Sequence, residues 1–355
     1  MENKAGLDYL SVWGLGGLIA TQMAIKAAIE LNVFNIISDS GAEAQLSSAE
    51  IVSKIPTTNP NAAAVLDRIL RVLGSRSLLS TSSRPCPNGE ERTYGLSMES
   101  RALVTNTDGV CLAPVMLMAS QRELVESLYL LKNMVIEPGY LPFQKAHGVN
   151  FFEYAAKDPK MGRMFDQSMA CHSKMAFEMV FKVYTGFKQV KELMDVGGGN
   201  GTLLGRIVST YPNVRGINFD LPHVIADAPN FPGVEHVAGD MFEPLPDAQT
   251  ILLKSVLHDW DDDNCVKLLR NCWKALPANG MVIVIESAIP PVSDNDAELQ
   301  TVILMDVAMM VVAGGKERST AEFDNLAKAA GFAETRIFHI AQGIHVMEFV
   351  KKITE

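Results

Sequence analysis

The spacing of apolar residues changes character near residue 190 of this 355-residue chain. Upstream of that point apolar residues recur every third or fourth position. Thr21 to Leu31 shows this, and so, more strongly, does Ala62 to Leu73, which predicts an amphipathic helix. Ser47-Ser48-Ala49-Glu50 reads as a capped helix start, with a hydroxyl and a carboxylate three residues apart able to satisfy each other's backbone N–H. Leu78 to Ser83 and Arg92 to Leu96 flank the polar stretch Pro85-Cys86-Pro87-Asn88-Gly89, which predicts a hairpin. Helix, helix, hairpin is the order of a winged helix. Ser127 to Gly186 is again helical, broken at Glu137-Pro138-Gly139 and Lys157-Asp158-Pro159. From Val190 onward short apolar runs alternate with helical segments, as an α/β doubly wound sheet requires.

The first of those runs delivers Asp195 into Gly197-Gly198-Gly199-Asn200-Gly201, followed by the helical Thr202 to Val208. Glycines suit a tight turn that a ligand approaches with no Cβ in the way. A dinucleotide site spaces them G-x-G-x-x-G and presents a helix N-terminus to pyrophosphate. Here the spacing is G-x-G-x-G, and Asp195 repels a pyrophosphate while favouring a cation.

Three later runs also end in polar residues. Gly216-Ile217-Asn218-Phe219-Asp220 ends in an acid about 20 residues past the glycines, the distance at which a carboxylate meets ribose hydroxyls. Val234 to Phe242 carries Asp240 between apolar neighbours. Thr250 to Leu257 predicts a fourth strand that runs directly into His258-Asp259-Trp260. Ligands of open parallel sheets bind outside the carboxyl ends of the strands.

With these residues in view, the chain resembles the S-adenosylmethionine-dependent small-molecule O-methyltransferases of the plant caffeate and alkaloid type. The resemblance runs through Pro56 to Pro60, Leu66-Asp67-Arg68, Tyr184 to Phe187, Asp195 to Gly199, Asn218 to Pro222, Gly239 to Phe242, His258-Asp259-Trp260 and Gly314-Gly315-Lys316-Glu317-Arg318. It implies a Rossmann-like methyltransferase sheet over residues 123–355, with helices 123–189 helping to form the acceptor pocket. Residues 1–122 are implied to be a helical, winged-helix-like dimerisation domain. For the donor it implies contacts from Ser173, Gly197, Asp220, Leu221, Asp240, Met241, Lys254 and Trp260, with Gly197 at the amino-acid end, Asp220 at the ribose, and Asp240 with Met241 at the adenine.

Length suits two domains, since single cores seldom grow beyond about 250 to 300 residues. A formal charge of −10 and the absence of any basic run argue against nucleic acid. The helix in the recognition position, Ala62 to Leu73, has only Arg68 and Arg71 as basic residues and is too apolar to lie in a groove; the exposed apolar residues of the first hundred positions point to a second copy of the chain instead. Val302 to Val312 is interrupted by Asp306 and is too short to cross a bilayer. Met1-Glu2-Asn3-Lys4 lacks the order of a secretory leader, and the five cysteines show no ligand spacing. A reduced, cytoplasmic homodimer is the expectation.

Methyl transfer to a phenol requires positioning and the removal of one proton. A phenol near pKa ~10 is mostly neutral at pH 7, whereas a histidine near ~6.5 is available as a base. His258 is the candidate. Carboxylates hold an imidazole in one tautomer, and the resemblance sets Glu286 and Glu317 around it. A metal-dependent alternative would use Asp259 and Asp261 to Asp263, but that run reads better as the cap of a helix from Asn264 to Leu276, and no metal is expected.

Candidate acceptor contacts are Met118, Phe152, Phe165, Met169, His172, Asp259, Met305, Asp306 and Met309, a wall suited to a flat, polarizable molecule. Ala119, Ala155 and Val311-Val312-Ala313 stand where caffeate-type enzymes carry an amide, a histidine and a longer polar segment. The pattern favours a phenolic alkaloid of the benzylisoquinoline or protoberberine kind. The alternatives are a phenylpropanoid or flavonoid acceptor, or a non-catalytic S-adenosylmethionine-binding or winged-helix regulatory protein.

Overall fold

A computed structural model describes residues 12–87, 89–106, 111–290, 297–341 and 343–352. Met1 to Lys4, read above for a leader, lie outside the described residues, as does Asn88 of the expected turn. The chain divides into two compact units, one running to Gln121 and the other beginning at Arg122.

In the first unit, helices α1 (Leu18–Glu30), α2 (Val33–Ser38), α3 (Ser48–Val52) and α4 (Ala62–Ser75) accompany strands β1 (Leu46–Ser47), β2 (Leu79–Cys86) and β3 (Gly89–Leu96) in the order β1-β3-β2. The expected cap is present. Ser47 accepts from the Glu50 N–H while the Glu50 carboxylate accepts from the Ser47 N–H. The hairpin strands run further toward the turn than expected. Leu66, Leu70 and Leu73 of α4 are buried with Phe34, Ile37 and Ile51, so this helix is spent on the unit's own core. Arg71 pairs with Asp67 at 2.8 Å on the same helix. Val12, Trp13 and Leu15 are largely exposed. The arrangement is compatible with a winged helix.

The second unit opens with short helices α5 (Arg122–Leu128), α6 (Leu131–Ile136), α7 (Pro142–His147) and α8 (Phe151–Lys157), then the long α9 (Pro159–Val183). Asp158, expected in a loop, caps α9 by accepting from the N–H groups of Lys160 and Met161. Strands β4 (Glu192–Val196), β5 (Arg215–Asp220), β6 (Val234–Ala238), β7 (Thr250–Lys254), β8 (Met281–Ser287), β9 (Glu334–Ala341) and β10 (Ile344–Val350) form one sheet in the order β6-β5-β4-β7-β8-β10-β9. The first five are parallel; β10 runs antiparallel between β8 and β9. The sheet is therefore mixed, and it closes on a C-terminal hairpin.

Side chains of a strand alternate between faces, and here both faces are buried. Met194, Ile251, Leu253, Val282 and Val284 pack with helices α12 (Asp262–Ala275) and α14 (Thr320–Ala330). Leu193, Leu252, Ile283 and Ile285 pack with Phe177 and Val180 of α9 and with α10 (Thr202–Thr210). Between those two C-terminal helices, α13 (Ala297–Val312) carries Met305, Asp306 and Met309. Each large apolar side chain buried this way contributes about 1.5–3 kcal/mol. The parallel strands share one direction, so the ends of β4, β5, β6 and β7 meet at one rim.

Candidate active site

Two turns build the rim. After β4, Gly197, Gly199 and Gly201 all take positive φ (72°, 58° and 79°), a backbone that L side chains rarely adopt. The turn is tied to the neighbouring strand. Asp220 accepts from the N–H of Gly199 at 2.7 Å with one oxygen and from that of Leu221 at 2.7 Å with the other. Asn218, wholly buried, donates to the Gly199 carbonyl at 2.9 Å. A Cβ at Gly198 would stand 2.1 Å from Asn218 Oδ1 and 2.9 Å from the Asp195 carboxylate, so the turn presses directly on these two polar groups.

Asp195 Oδ2 and Asn218 Oδ1 are buried without a hydrogen-bond partner. Burial, then the neighbouring Asp220, push Asp195 up to about 7. Burial also raises Asp220 against its two backbone N–H bonds. Two crowded carboxylates and two orphaned oxygens beside a glycine turn suit a cationic ligand carrying hydrogen-bond donors.

The other donor candidates lie on neighbouring elements of the same unit. Asp240 is exposed and accepts from the Phe242 N–H at 2.9 Å, while Met241 packs on the sheet core. Trp260 sits between Phe242 (edge-on, 4.8 Å) and Phe152 of α8 (stacked, 6.0 Å), with its indole N–H unpartnered. Ser173 is buried on α9. Lys254 Nζ donates to His172 Nδ1 at 3.3 Å. The Lys254 ammonium, then burial, push His172 down to about 3, so its ring is a neutral acceptor. Burial draws Lys254 down to about 8 against the attraction of Glu286, Asp195 and Asp259.

The second turn follows β7 and differs from the expected fourth strand, which stops at Lys254 rather than Leu257. Ser255 takes a left-handed φ of 51°. The N–H groups of Val256 and Leu257 then go to Glu286 Oε1 at 2.9 and 2.8 Å instead of to a strand. His258 therefore lies on a short 3₁₀ turn, Leu257–Asp259. Backbone held in a sparsely populated region is typical of functional sites.

His258 Nδ1 lies 2.8 Å from Glu317 Oε1 and 3.8 Å from Glu286 Oε2. The carboxylate accepts, so Nδ1 carries a hydrogen, and Nε2 is the nitrogen that holds the lone pair once the ring is neutral. Asp259 Oδ1 stands 3.8 Å from Nε2. Burial pulls His258 down, but Glu286, Asp259 and Glu317 together outweigh it and push the imidazole up to about 10. Burial raises Asp259 to about 6, with His258 pulling the other way, and it raises Glu286 as well.

Of the proposed acceptor contacts, Phe152, Phe165, Met169 and His172 gather on α8 and α9, where Phe165 meets Phe151 and Phe152 edge-on. Met305 and Met309 are half-buried on α13. One oxygen of Asp306 accepts from the Glu317 N–H at 2.8 Å, so this acid holds the backbone of the histidine's partner. Met118 is buried within the first unit. The acidic run caps α12 as expected, Asp261 accepting from the Asn264 N–H at 2.8 Å. Sequence reasoning passed over Ser255, Asn218 and Arg318. A polar residue inside an apolar strand marks Asn218; nothing local marks Ser255.

A parallel-stranded sheet with an antiparallel edge hairpin, a glycine turn beside two crowded acids and a histidine held by acids are the marks of an S-adenosylmethionine-dependent methyltransferase. Residues 128–333 match the O-methyltransferase domain and residues 13–106 the O-methyltransferase dimerisation domain. The chain thus belongs to the S-adenosylmethionine-dependent small-molecule O-methyltransferases of the plant caffeate and alkaloid type. It is 56% identical over 352 residues to (S)-scoulerine 9-O-methyltransferase of Coptis japonica, covering 99% of this chain and 91% of that one. To caffeic acid 3-O-methyltransferase of Medicago sativa it is 45% identical, covering 93% and 91%. The fold is shared with human N-acetylserotonin methyltransferase in complex with S-adenosylmethionine, at a TM-score of 0.83, 22% identity and 99% coverage of both chains. No helix among the described residues is long and apolar enough to cross a membrane.

Proposed function

We propose that this enzyme methylates a phenolic hydroxyl of a benzylisoquinoline or protoberberine alkaloid, with His258 as general base and no metal. S-adenosylmethionine, when bound, supplies an electrophilic methyl group on a sulfonium. The chain's own residues do the rest. Gly197 to Gly201, Asp220 with Leu221, Asp240 with Met241, Ser173, Lys254 and Trp260 hold the donor, and Asp195 adds negative charge beside it. His258 Nε2 takes the phenolic proton, and Glu317, through Nδ1–H, fixes the tautomer and balances the imidazolium charge. Glu286 acts at one remove, by holding the backbone of Val256 and Leu257 and adding negative charge nearby.

The observation that carries the mechanism is the 2.8 Å bond between Nδ1 and Glu317, which makes Nε2 the nitrogen that accepts a proton when the ring is neutral. His258, Glu286 and Glu317 offer atoms within 4.8 Å of one another, a spacing that also suits a metal ion. Glu286 Oε2 and Glu317 Oε2 are unpartnered, but the 2.8 Å bond between Nδ1 and Glu317 already uses the histidine nitrogen that faces both acids, which favours the metal-free reading. For the acceptor, support comes from the alkaloid-named relative at 56% identity and from Ala119, Ala155 and Val311 to Ala313. Phe152, Phe165, Met169, His172, Asp259, Met305 and Met309 make its wall. The proposal places the domain boundary at 122/123, has helices 123–189 shape the pocket, and has the chain work as a cytoplasmic homodimer, with the exposed Val12, Trp13 and Leu15 in keeping with a second copy.

The test is turnover of methyl-labelled S-adenosylmethionine against phenolic alkaloids, flavonoids and hydroxycinnamates with chelator present. Product from the alkaloids, undiminished by chelator, is expected. Product from hydroxycinnamates alone overturns the acceptor reading, and loss of all turnover in chelator overturns the metal-free one.

A further inference from the structure

Arg318 is the largest fully buried side chain among the described residues, and its guanidinium reaches the segment that carries His258. Nη1 donates to the Leu257 carbonyl at 2.8 Å and Nη2 to the Trp260 carbonyl at 2.7 Å, the two carbonyls that bracket His258 and Asp259. Nε and Nη2 both reach Asp262 Oδ1, at 3.0 and 2.7 Å, and Nη1 lies 3.4 Å from the Lys316 carbonyl. The His258 carbonyl itself accepts from the Lys316 N–H at 2.9 Å. A Cβ at Gly315 would fall 1.9 Å from that same oxygen, so the two segments touch backbone to backbone.

Along its own stretch of chain the turn offers its carbonyls only weak donors: the Trp260 N–H to the Leu257 oxygen at 3.3 Å, and the Cys265 thiol to the Leu257 and Trp260 oxygens at 3.1 and 3.6 Å. Residues 316 and 318 supply the strong donors. Glu317, between them, supplies the acid on Nδ1. One stretch of three residues therefore holds both the backbone of His258 and its ring.

We propose that Arg318 is a positioning residue for the methyl transfer, fixing the 257–260 segment so that His258 keeps its bond to Glu317. The inference rests on the reading of His258 as the base. A buried guanidinium is costly unless its donors are met, and its planar fork matches two carbonyls and a carboxylate at once. Lysine, with a single nitrogen, cannot span Leu257, Trp260 and Asp262 together.

The experiment compares full-length R318K, D262N and H258A for kcat, acceptor KM, S-adenosylhomocysteine affinity by calorimetry, and the pH profile of kcat, all per folded protein. R318K is expected to lower kcat on the order of 10²-fold, the scale of a misplaced catalytic group, while S-adenosylhomocysteine affinity and acceptor KM stay within about twofold. The ascending pH limb should move to lower pH as the imidazolium loses its partner. D262N removes the anchor's charge and should show the same split at smaller amplitude; it carries the test if R318K does not fold. Wild-type kcat and pH limb in the folded variants, with H258A inactive, overturn the role of Arg318 alone. Substantial turnover by H258A overturns the base reading on which it rests.

Discussion

The two turns at the rim of the sheet are built on opposite plans. The glycine turn after β4 gets its shape from its own residue types and its bonds from the adjacent strand β5, through Phe219, Asp220 and Asn218. The histidine turn after β7 has ordinary residues held by distant ones: Glu286 on β8, and Lys316, Glu317 and Arg318 after α13. The first is a backbone surface shaped by neighbouring residues. The second is a side chain aimed by parts of the chain that assemble only in the folded protein. Damage to the first should therefore show in donor affinity, and damage to the second in the rate.

The largest expected effect lies on the histidine turn. H258A should lower turnover about a thousandfold, within the range for loss of a general base, with S-adenosylhomocysteine affinity within about twofold by calorimetry. Equal loss of affinity would break the contrast between the turns. Next, D220A should weaken donor binding by about 1.5–3 kcal/mol, roughly ten- to 150-fold, as expected for a hydrogen bond to a charged group. Its kcat at saturating donor should change only a few-fold, and unchanged affinity would remove Asp220 from the donor site.

The smallest effect sharpens the picture by its sign. His258 is pushed up to about 10 by Glu286, Asp259 and Glu317, so the free enzyme keeps the proton and kcat/KM should climb with pH above neutrality. Neutralising one acid in E317Q weakens the hold on the imidazolium, lowers the histidine pKa and moves that ascending limb toward lower pH, by roughly one unit. The maximal rate should fall because the tautomer is held less firmly. A limb that stays in place assigns it to a different group.

The same contrast explains what could be read from residues alone. The Ser47–Glu50 cap, the Asp261 cap of α12, helix α4 and the glycine turn are written in contiguous residues, because their partners lie within a few positions or on the next strand. His258 and Glu317 were legible through their motifs. Their supports were not. The strand before His258 stops three residues early because Ser255 turns left-handed and Glu286, some thirty positions away, captures two N–H groups. Asp306 stood out as an acid in an apolar helix, yet its bond to the Glu317 N–H depends on a fold over the intervening Gly314 and Gly315. Arg318 closes a visible motif, but its partners lie 56 to 61 residues upstream.

The insertion of β10 between β8 and β9 has a consequence for how the protein is made. His345 on β10 pairs with Glu286 on β8, so the strand that carries Glu286 gains its outer neighbour only when residues 344–350 have left the ribosome. Until then β8 presents an unpaired, strongly apolar edge, the kind of surface that recruits other nascent chains. Synthesis of this enzyme should thus depend on chaperone capacity in the interval between the emergence of β8 and that of residues 344–350.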